Sequence, residues 1–299
     1  MQARIARRRV DGVLLLDKPV GLSSNAALQR AKRLFNAEKA GHTVTLDPAA
    51  SGLLPICFGE ATKFARFLLE ADKHYRAEVR FGVITSTHDS EGDVVAEQPV
   101  QLERTQVEAA LPAFTGALSQ TPPAYSALKY QGRSYYEYAR KGIEIPRTPR
   151  DVEVKTLTLV NWSSPVATLD VICSKGTYVR TLAADLGTAL GCGAHLAGLR
   201  RVATGGFRIG DAITLDALAA VDPETRDARL NPVDCLLDAL PRLDVALDDA
   251  TRLRHGRSIG APEQKSTRFR AYGPDGDLVG VLARVDDLLV PDRLLRHGS

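Results

Sequence analysis

The nine residues from Lys73 to Phe81 alternate without a break. Tyr75, Ala77, Val79 and Phe81 fall on one side, and His74, Arg76, Glu78 and Arg80 on the other. A period of two with one apolar side is the pattern of a strand that has a core on one face and water on the other. It calls for an antiparallel sheet with an open face, because parallel sheets are covered on both. Around this strand, others are expected over 13–16, 53–58, 152–160, 167–173 and 195–203. Helices are expected from Ser23 or Ser24 to about 35, over 60–71, over 105–114, and from about Thr177, where Val179, Leu182, Ala183 and Leu186 repeat at helical spacing. Thr214 is placed to cap a further short helix. Residues 41–52 show no apolar period and read as a structured loop. Strands and helices mix without regular βαβ alternation, so the expected class is α+β with a mainly antiparallel sheet.

At 299 residues the chain is long enough for two domains. From about residue 248 the pattern changes to short β segments broken by Gly256, Gly260, Gly276 and Gly280. The expected division is 1–247 for the larger domain and 248–299 for a small β-barrel. Residues 116–150 form a polar, Tyr-rich stretch bearing Lys129, Arg133 and Arg140, too long for an ordinary connection and therefore expected to be functional. The four cysteines are scattered, with no Cys-x-x-Cys pair and no histidine at zinc-ligand spacing, and read as buried thiols rather than metal ligands or disulfides. No apolar run approaches membrane-spanning length and the N-terminus lacks a secretory pattern, so a cytoplasmic location is expected.

The net charge of +3 hides a segregation. Residues 1–40 carry nine Lys/Arg against three Asp/Glu, including Arg4, Arg7, Arg8 and Arg9; residues 211–250 carry ten acids against three arginines; the tail from Thr251 is basic again, nine against six. Basic ends around an acidic stretch suit one face for a polyanion and another that avoids it, although the same distribution also describes ordinary solvated surface.

The chemistry concentrates in Gly41-His42-Thr43-Val44-Thr45-Leu46-Asp47-Pro48-Ala49-Ala50-Ser51-Gly52. A proline after Asp47 biases that residue away from helical geometry. An Asp-Pro pair alone is a turn starter, but this loop also holds a ring, several hydroxyls and a single acid ahead of a buried strand. With its neighbours it resembles the pseudouridine synthases of the TruB family. The resemblance runs through Leu16-Asp17-Lys18-Pro19, Ser23-Ser24, Gly41-His42-Thr43, Thr45-Leu46-Asp47-Pro48, Gly59-Glu60-Ala61-Thr62-Lys63, Lys73-His74-Tyr75, Gln120 with Pro122-Pro123, Tyr125-Ser126-Ala127, Lys175-Gly176-Thr177-Tyr178-Val179-Arg180, and His195-Leu196 with Leu199-Arg200-Arg201.

That resemblance implies an α+β catalytic domain followed by an RNA-binding PUA-like barrel. It also implies isomerisation of the uridine at position 55, in the T-arm loop of tRNA, by a protein that works as a monomer without an obligate protein partner. Asp47 takes the role of catalytic carboxylate, Arg180 pairs with it, Tyr75 stacks on the target base, and Leu199 closes the apolar side of the pocket, with Tyr178 among the substrate-binding residues. His42 fills the space left by the extruded nucleotide; Lys18, Lys129, Arg133 and Arg140 meet phosphates. The reaction breaks a C–N bond, turns the base and joins carbon 5 to the sugar, which calls for a carboxylate and a closed pocket but no metal or redox cofactor. The base must leave the stack to reach such a pocket. Where the family carries glycine this chain has Val44, and it has the small Ala49 where a bulky apolar residue is common; a valine at positive φ would strain the loop beside Asp47. Competing readings are the catalytic subunit of a guide-RNA pseudouridylation complex, an RNA-folding factor without catalysis, and a generic basic nucleic-acid binder.

Overall fold

A computed structural model describes residues 6–126 and 128–296. Arg4 and Ala127 of the motifs above lie outside the described residues. Strand β1 (Gly12–Lys18) turns into helix α1 (Ser24–Leu34), followed by the short β2 (Ala40–His42) and β3 (Ala50–Phe58). A 3-10 turn over Gly59–Lys63 meets α2 (Ala65–Leu69) and then β4 (Lys73–Phe81). The hairpin β5 (Val83–Thr85) and β6 (Val94–Glu97), helix α3 (Arg104–Ala110) and β7 (Gly116–Gln120) come next. A small unit made of β8 (Lys129–Tyr130), β9 (Arg133–Ser134) and α4 (Tyr135–Ala139) precedes the long pair β10 (Arg150–Ser163) and β11 (Val166–Cys173). Helix α5 (Val179–Ala189) and β12 (Ala194–Thr204) return the chain to the centre, and β13 (Phe207–Arg208), β14 (Ile213–Thr214) and α6 (Leu215–Ala220) finish the first unit. The second contains β15 (Arg242–Asp244), α7 (Leu247–Arg254), β16 (Ile259–Gly260), β17 (Arg268–Tyr272), β18 (Leu278–Val285) and β19 (Leu288–Leu294).

The main sheet has the order β14-β1-β3-β12-β4-β11-β10-β7, with β2 on β3 and β13 on β12. It is mixed and mainly antiparallel; β1 with β14 and β3 with β12 are the parallel contacts among these pairs. Strand β4 lies where its period predicts: Tyr75, Ala77, Val79 and Phe81 are buried against Leu182, Ala183 and Leu186 of α5. The opposite side of β4 is open, and there Asp170 of β11 accepts from Arg76 Nε at 2.7 Å. Under β1 and β3, by contrast, both faces are covered, one by α1 and α6 and the other by α2, Leu236, Leu237 and Val281. This is why residues 13–16 are apolar on both sides.

Several boundaries differ from expectation for physical reasons. The helix expected over 60–71 is divided at Phe64, whose fully buried ring packs with Val13, Leu15 and Leu236 on one face of that core and whose φ −106, ψ −2 joins the 3-10 turn to α2. The helix expected from Thr177 starts at Val179, because the buried Gln120 side chain accepts from the Tyr178 N–H at 3.0 Å and holds that residue outside the helix. The loop 41–52 contains strand at both ends, since Gly41 and His42 pair with Cys57 and Ile56. Strand β7 belongs to the main sheet through β10, so the insert proper begins only after Gln120. The expected C-terminal barrel corresponds to a curled five-stranded sheet of order β15-β17-β18-β19-β16. Its first strand precedes residue 248, and α7 spans that position. A three-residue strand held only by parallel pairing to β17 carries too little pattern to be read in advance. The second sheet is docked: Val281 shares a core with Val13 and Leu15, and Lys63 Nζ donates to Leu294 O at 2.9 Å. Cys57, Cys173 and Cys192 are buried free thiols and Cys235 is half-buried. Among the described residues no helix is long and apolar enough to cross a membrane.

Candidate active site

The site is assembled where β3, β4, β12 and α5 converge. Asp47 sits one turn before β3, and its backbone is pinned from several sides. Ser23 caps α1 by accepting from Ala26 N, which leaves the adjacent Ser24 free to serve the loop. Ser24 Oγ accepts from Leu46 N at 2.7 Å and donates to Leu46 O at 2.9 Å, both buried. Pro48 O accepts from Gly21 N at 2.8 Å, and Asp47 O from Ala50 N at 3.0 Å. The Leu46 side chain is itself part of the core under β4. Two hydrogen bonds and a buried leucine immediately before the acid leave its backbone little freedom.

Arg180, in the first turn of α5, points its guanidinium at that loop. Its Nη2 lies 3.1 Å from Asp47 Oδ2 and its Nη1 lies 3.2 Å from Asp89 Oδ2. It also donates to Tyr125 O at 2.8 Å. The Arg180 and Asp89 side chains are 8% and 7% exposed, whereas Asp47 is 44% exposed. One buried cation thus joins a buried acid to an acid that opens onto solvent. Charge-assisted pairs of this kind fix orientation as well as energy. Sequence reading missed Asp89. The available signal was turn chemistry in Thr85-Ser86-Thr87-His88-Asp89-Ser90-Glu91-Gly92, where Asp89 Oδ1 accepts from Glu91 N at 3.0 Å and Thr85 Oγ1 donates to Asp89 O at 2.7 Å.

A cavity of about 740 Å³ opens beside Asp47, and Tyr75, Tyr178, Arg180 and Leu199 line it. Five residues singled out from the sequence therefore meet at one place. Tyr75 lies across the sheet from Val171 on one side and from Arg201 on the other. Burial pushes its phenol pKa up, and Arg201 beside it pulls the other way. Lys73, also in the cavity wall, was missed: its ammonium donates to Leu69 O at 2.7 Å and Ala71 O at 2.6 Å, and burial pushes its pKa down to about 8.

Other expected site residues do not line this cavity. Lys18, expected at a phosphate, is fully buried, its Nζ donating to Pro19 O at 2.9 Å and Leu22 O at 2.7 Å. Burial lowers its pKa to about 8. An ammonium consumed by two carbonyls inside the fold holds the 19–22 turn and cannot meet RNA in this arrangement. His42 is half-buried on β2, outside the cavity wall, with Nδ1 unpartnered; burial, then Arg201, lowers its pKa. Lys129, Arg133 and Arg140 are exposed on the insert, and the Arg140 guanidinium stands 4.5 Å over the Tyr136 ring.

The expectation of strain at Val44 is not met. Among the described residues the non-glycine positions with positive φ are Asn36, His88, Gln131 and Asp286. Val44 adopts a conformation open to any L-residue, and its carbonyl accepts from Arg201 Nη2 at 3.3 Å. Glycine is required instead at Gly52, with φ +103, where an added Cβ would fall 2.3 Å from Arg201 O. Val44→Gly is accordingly expected to leave the single-turnover rate unchanged and to lower stability by about 0.5–1 kcal/mol, through the entropy of the unfolded chain. A faster variant in that assay would contradict the backbone geometry.

Residues 32–179 match the N-terminal domain of TruB family pseudouridylate synthases, and residues 180–238 match the tRNA pseudouridylate synthase B C-terminal domain. The chain is 52% identical over 300 residues to tRNA pseudouridine synthase B of Chromobacterium violaceum, covering 99% of this chain and 98% of that one. It is 54% identical over 290 residues to the protein of the same name from Thiobacillus denitrificans, covering 97% of each. In fold it superposes on a chain of a Cbf5-Nop10-Gar1 complex with a TM-score of 0.73 at 24% identity, over 95% of this chain and 84% of that one. With both family domains matched and more than half of its residues shared with such relatives over nearly its whole length, the chain belongs to the TruB family and is a pseudouridine synthase.

Proposed function

We propose that the protein isomerises the uridine at position 55, in the T-arm loop of tRNA, to pseudouridine, with Asp47 as the catalytic carboxylate. The observation that carries this reading is the Arg180–Asp47 pair at the edge of a cavity walled by Tyr75 and Leu199. A base entering the cavity meets the Tyr75 ring and the apolar Leu199, and its sugar faces Asp47. Asp47 assists cleavage of the C–N bond, the detached ring turns within the walls, and carbon 5 joins the sugar; the hydrogen displaced from carbon 5 leaves as a proton while the freed ring nitrogen takes one up. Tyr75, the one hydroxyl on the buried face of β4, is placed to receive or pass that proton. Arg180 keeps Asp47 aimed throughout.

A base stacked in RNA cannot reach this depth, so the nucleotide is extruded first, and His42 fills the vacated stack. Lys129, Arg133 and Arg140 on the insert meet the phosphates, and the second sheet with the basic tail extends the RNA contact. Loops with splayed bases are what such machinery can read. In this reading the protein works in the cytoplasm, as a monomer, with neither cofactor nor partner protein.

Incubating the purified protein with unmodified tRNA transcript and mapping pseudouridine is the direct test. Modification at position 55 without additions is expected, with affinity that falls steeply as salt rises because phosphate neutralisation releases counterions. A requirement for an added protein or guide RNA would favour the complex-subunit reading, and binding without modification would favour a folding factor.

A further inference from the structure

We propose that Arg201 is the positioning residue of the Tyr75 phenol, holding its oxygen as a hydrogen-bond acceptor and tying it to the loop that carries Asp47. The inference rests on the role given to Tyr75 above. Arg201 is the largest of the fully buried side chains, at 0% exposure. A buried charge normally has a carboxylate beside it, since burial is otherwise costly; no ion pair of Arg201 is present among the described residues. Instead Nε donates to Leu53 O at 2.8 Å, at the start of β3, and Nη2 donates to Val44 O at 3.3 Å, in the catalytic loop. Nη1 is buried and has no hydrogen-bond partner, so one donor of the guanidinium is left unspent. Directly across the strand pair stands Tyr75, and the guanidinium charge pulls its phenol pKa down against the burial that raises it.

Cross-strand partners in an antiparallel pair project to the same face, so this neighbourhood is built into the register of β4 and β12. Gly52 lets the third strand close in, for any side chain there would strike the Arg201 backbone. A guanidinium has donors only. In the proposed contact the phenol oxygen accepts from the unspent Nη1, and the phenol's single hydrogen is then turned away from Arg201, toward the cavity. The cation also favours the phenolate over the phenol, against the burial that opposes it. The same group therefore sets both the direction of the Tyr75 hydrogen and the ease of its departure, while Val44 O keeps the Asp47 loop in step.

The test is a double-mutant cycle in single-turnover kinetics on tRNA transcript. Arg201→Lys keeps the buried charge but cannot serve Leu53, Val44 and Tyr75 together. It is expected to slow the reaction about tenfold or more in the wild-type background and to add little in a Tyr75→Phe background, because coupled residues are not additive. An equal loss in both backgrounds overturns the proposal and leaves Arg201 a core residue. A Tyr75→Phe protein that turns over at the wild-type rate removes the role of Tyr75 and that of Arg201 with it. A readout without turnover separates this from failure of the functional reading: the carbon-13 titration of the labelled Tyr75 ring, which Arg201, Asp47 and Cys173 face. Arg201→Met, or Arg201→Lys if the apolar variant does not fold, is expected to change that titration, upward for Arg201→Met. A curve superposing on the wild type would show that the guanidinium does not engage the phenol.

Discussion

Asp47→Asn is expected to abolish isomerisation, with single-turnover rates falling by about 10⁴-fold or more, while the melting temperature and tRNA affinity stay close to wild type. Asparagine is isosteric and keeps an oxygen toward Arg180. The position is 44% exposed, so the lost charge is partly replaced by water. Arg180 retains Asp89 as a buried partner, and Ser24 continues to hold Leu46. In the proposed reading the RNA footprint extends over the insert and the second sheet, in which Asp47 is a single point. Rate and stability should therefore separate cleanly. Substantial turnover by this variant would remove Asp47 from the mechanism, and a large fall in melting temperature would make it a structural acid.

Arg180→Ala is expected to do what Asp47→Asn does not, losing rate and stability together. The guanidinium joins Asp47, Asp89 and the Tyr125 carbonyl. Without it Asp89 is left as a carboxylate with a 7% exposed side chain and no cation. Breaking a buried pair on one side costs about 3–5 kcal/mol, measurable by denaturant unfolding. Turnover should fall by about 10²–10³-fold, the range for removing one preorganised donor from an active site. Adding Asp89→Asn removes the stranded charge and should recover part of the stability without recovering the rate. That split is the signature of a cation with one structural and one catalytic partner. Equal stability of the Arg180→Ala protein and the wild type would show that the Asp89 pair contributes nothing to the fold.

The structure also changes how the second unit should be separated from the first. Cutting from Thr251 would pass through α7 and leave β15 without β17. Even a cut before Arg242 exposes Val13 and Leu15, which Val281 covers. Weakened RNA binding by a truncated chain therefore has to be judged beside its melting temperature.

The chain's local order was legible in its sequence wherever one short-range rule decided it. Alternation in β4, the Ser23 cap of α1 and the Thr214 cap of α6 each depend on residues within a turn or a strand of one another. Asp47, Tyr75, Arg180 and Leu199 were legible because they sit in motifs, and the fold brings them to one cavity. Only the tertiary structure decided the states of the charges around them. Lys18 and Arg201 look like surface cations in one dimension; one is caged by carbonyls of its own turn, and the other is enclosed where β3, β4 and β12 meet. Asp89 becomes part of the site through Arg180, 91 residues further along the chain by number. Val44 lies outside the left-handed region, and its carbonyl accepts from the distant Arg201. Burial and pairing of a charge depend on which distant backbones crowd around it, and a pattern along the chain reports only its neighbours in sequence.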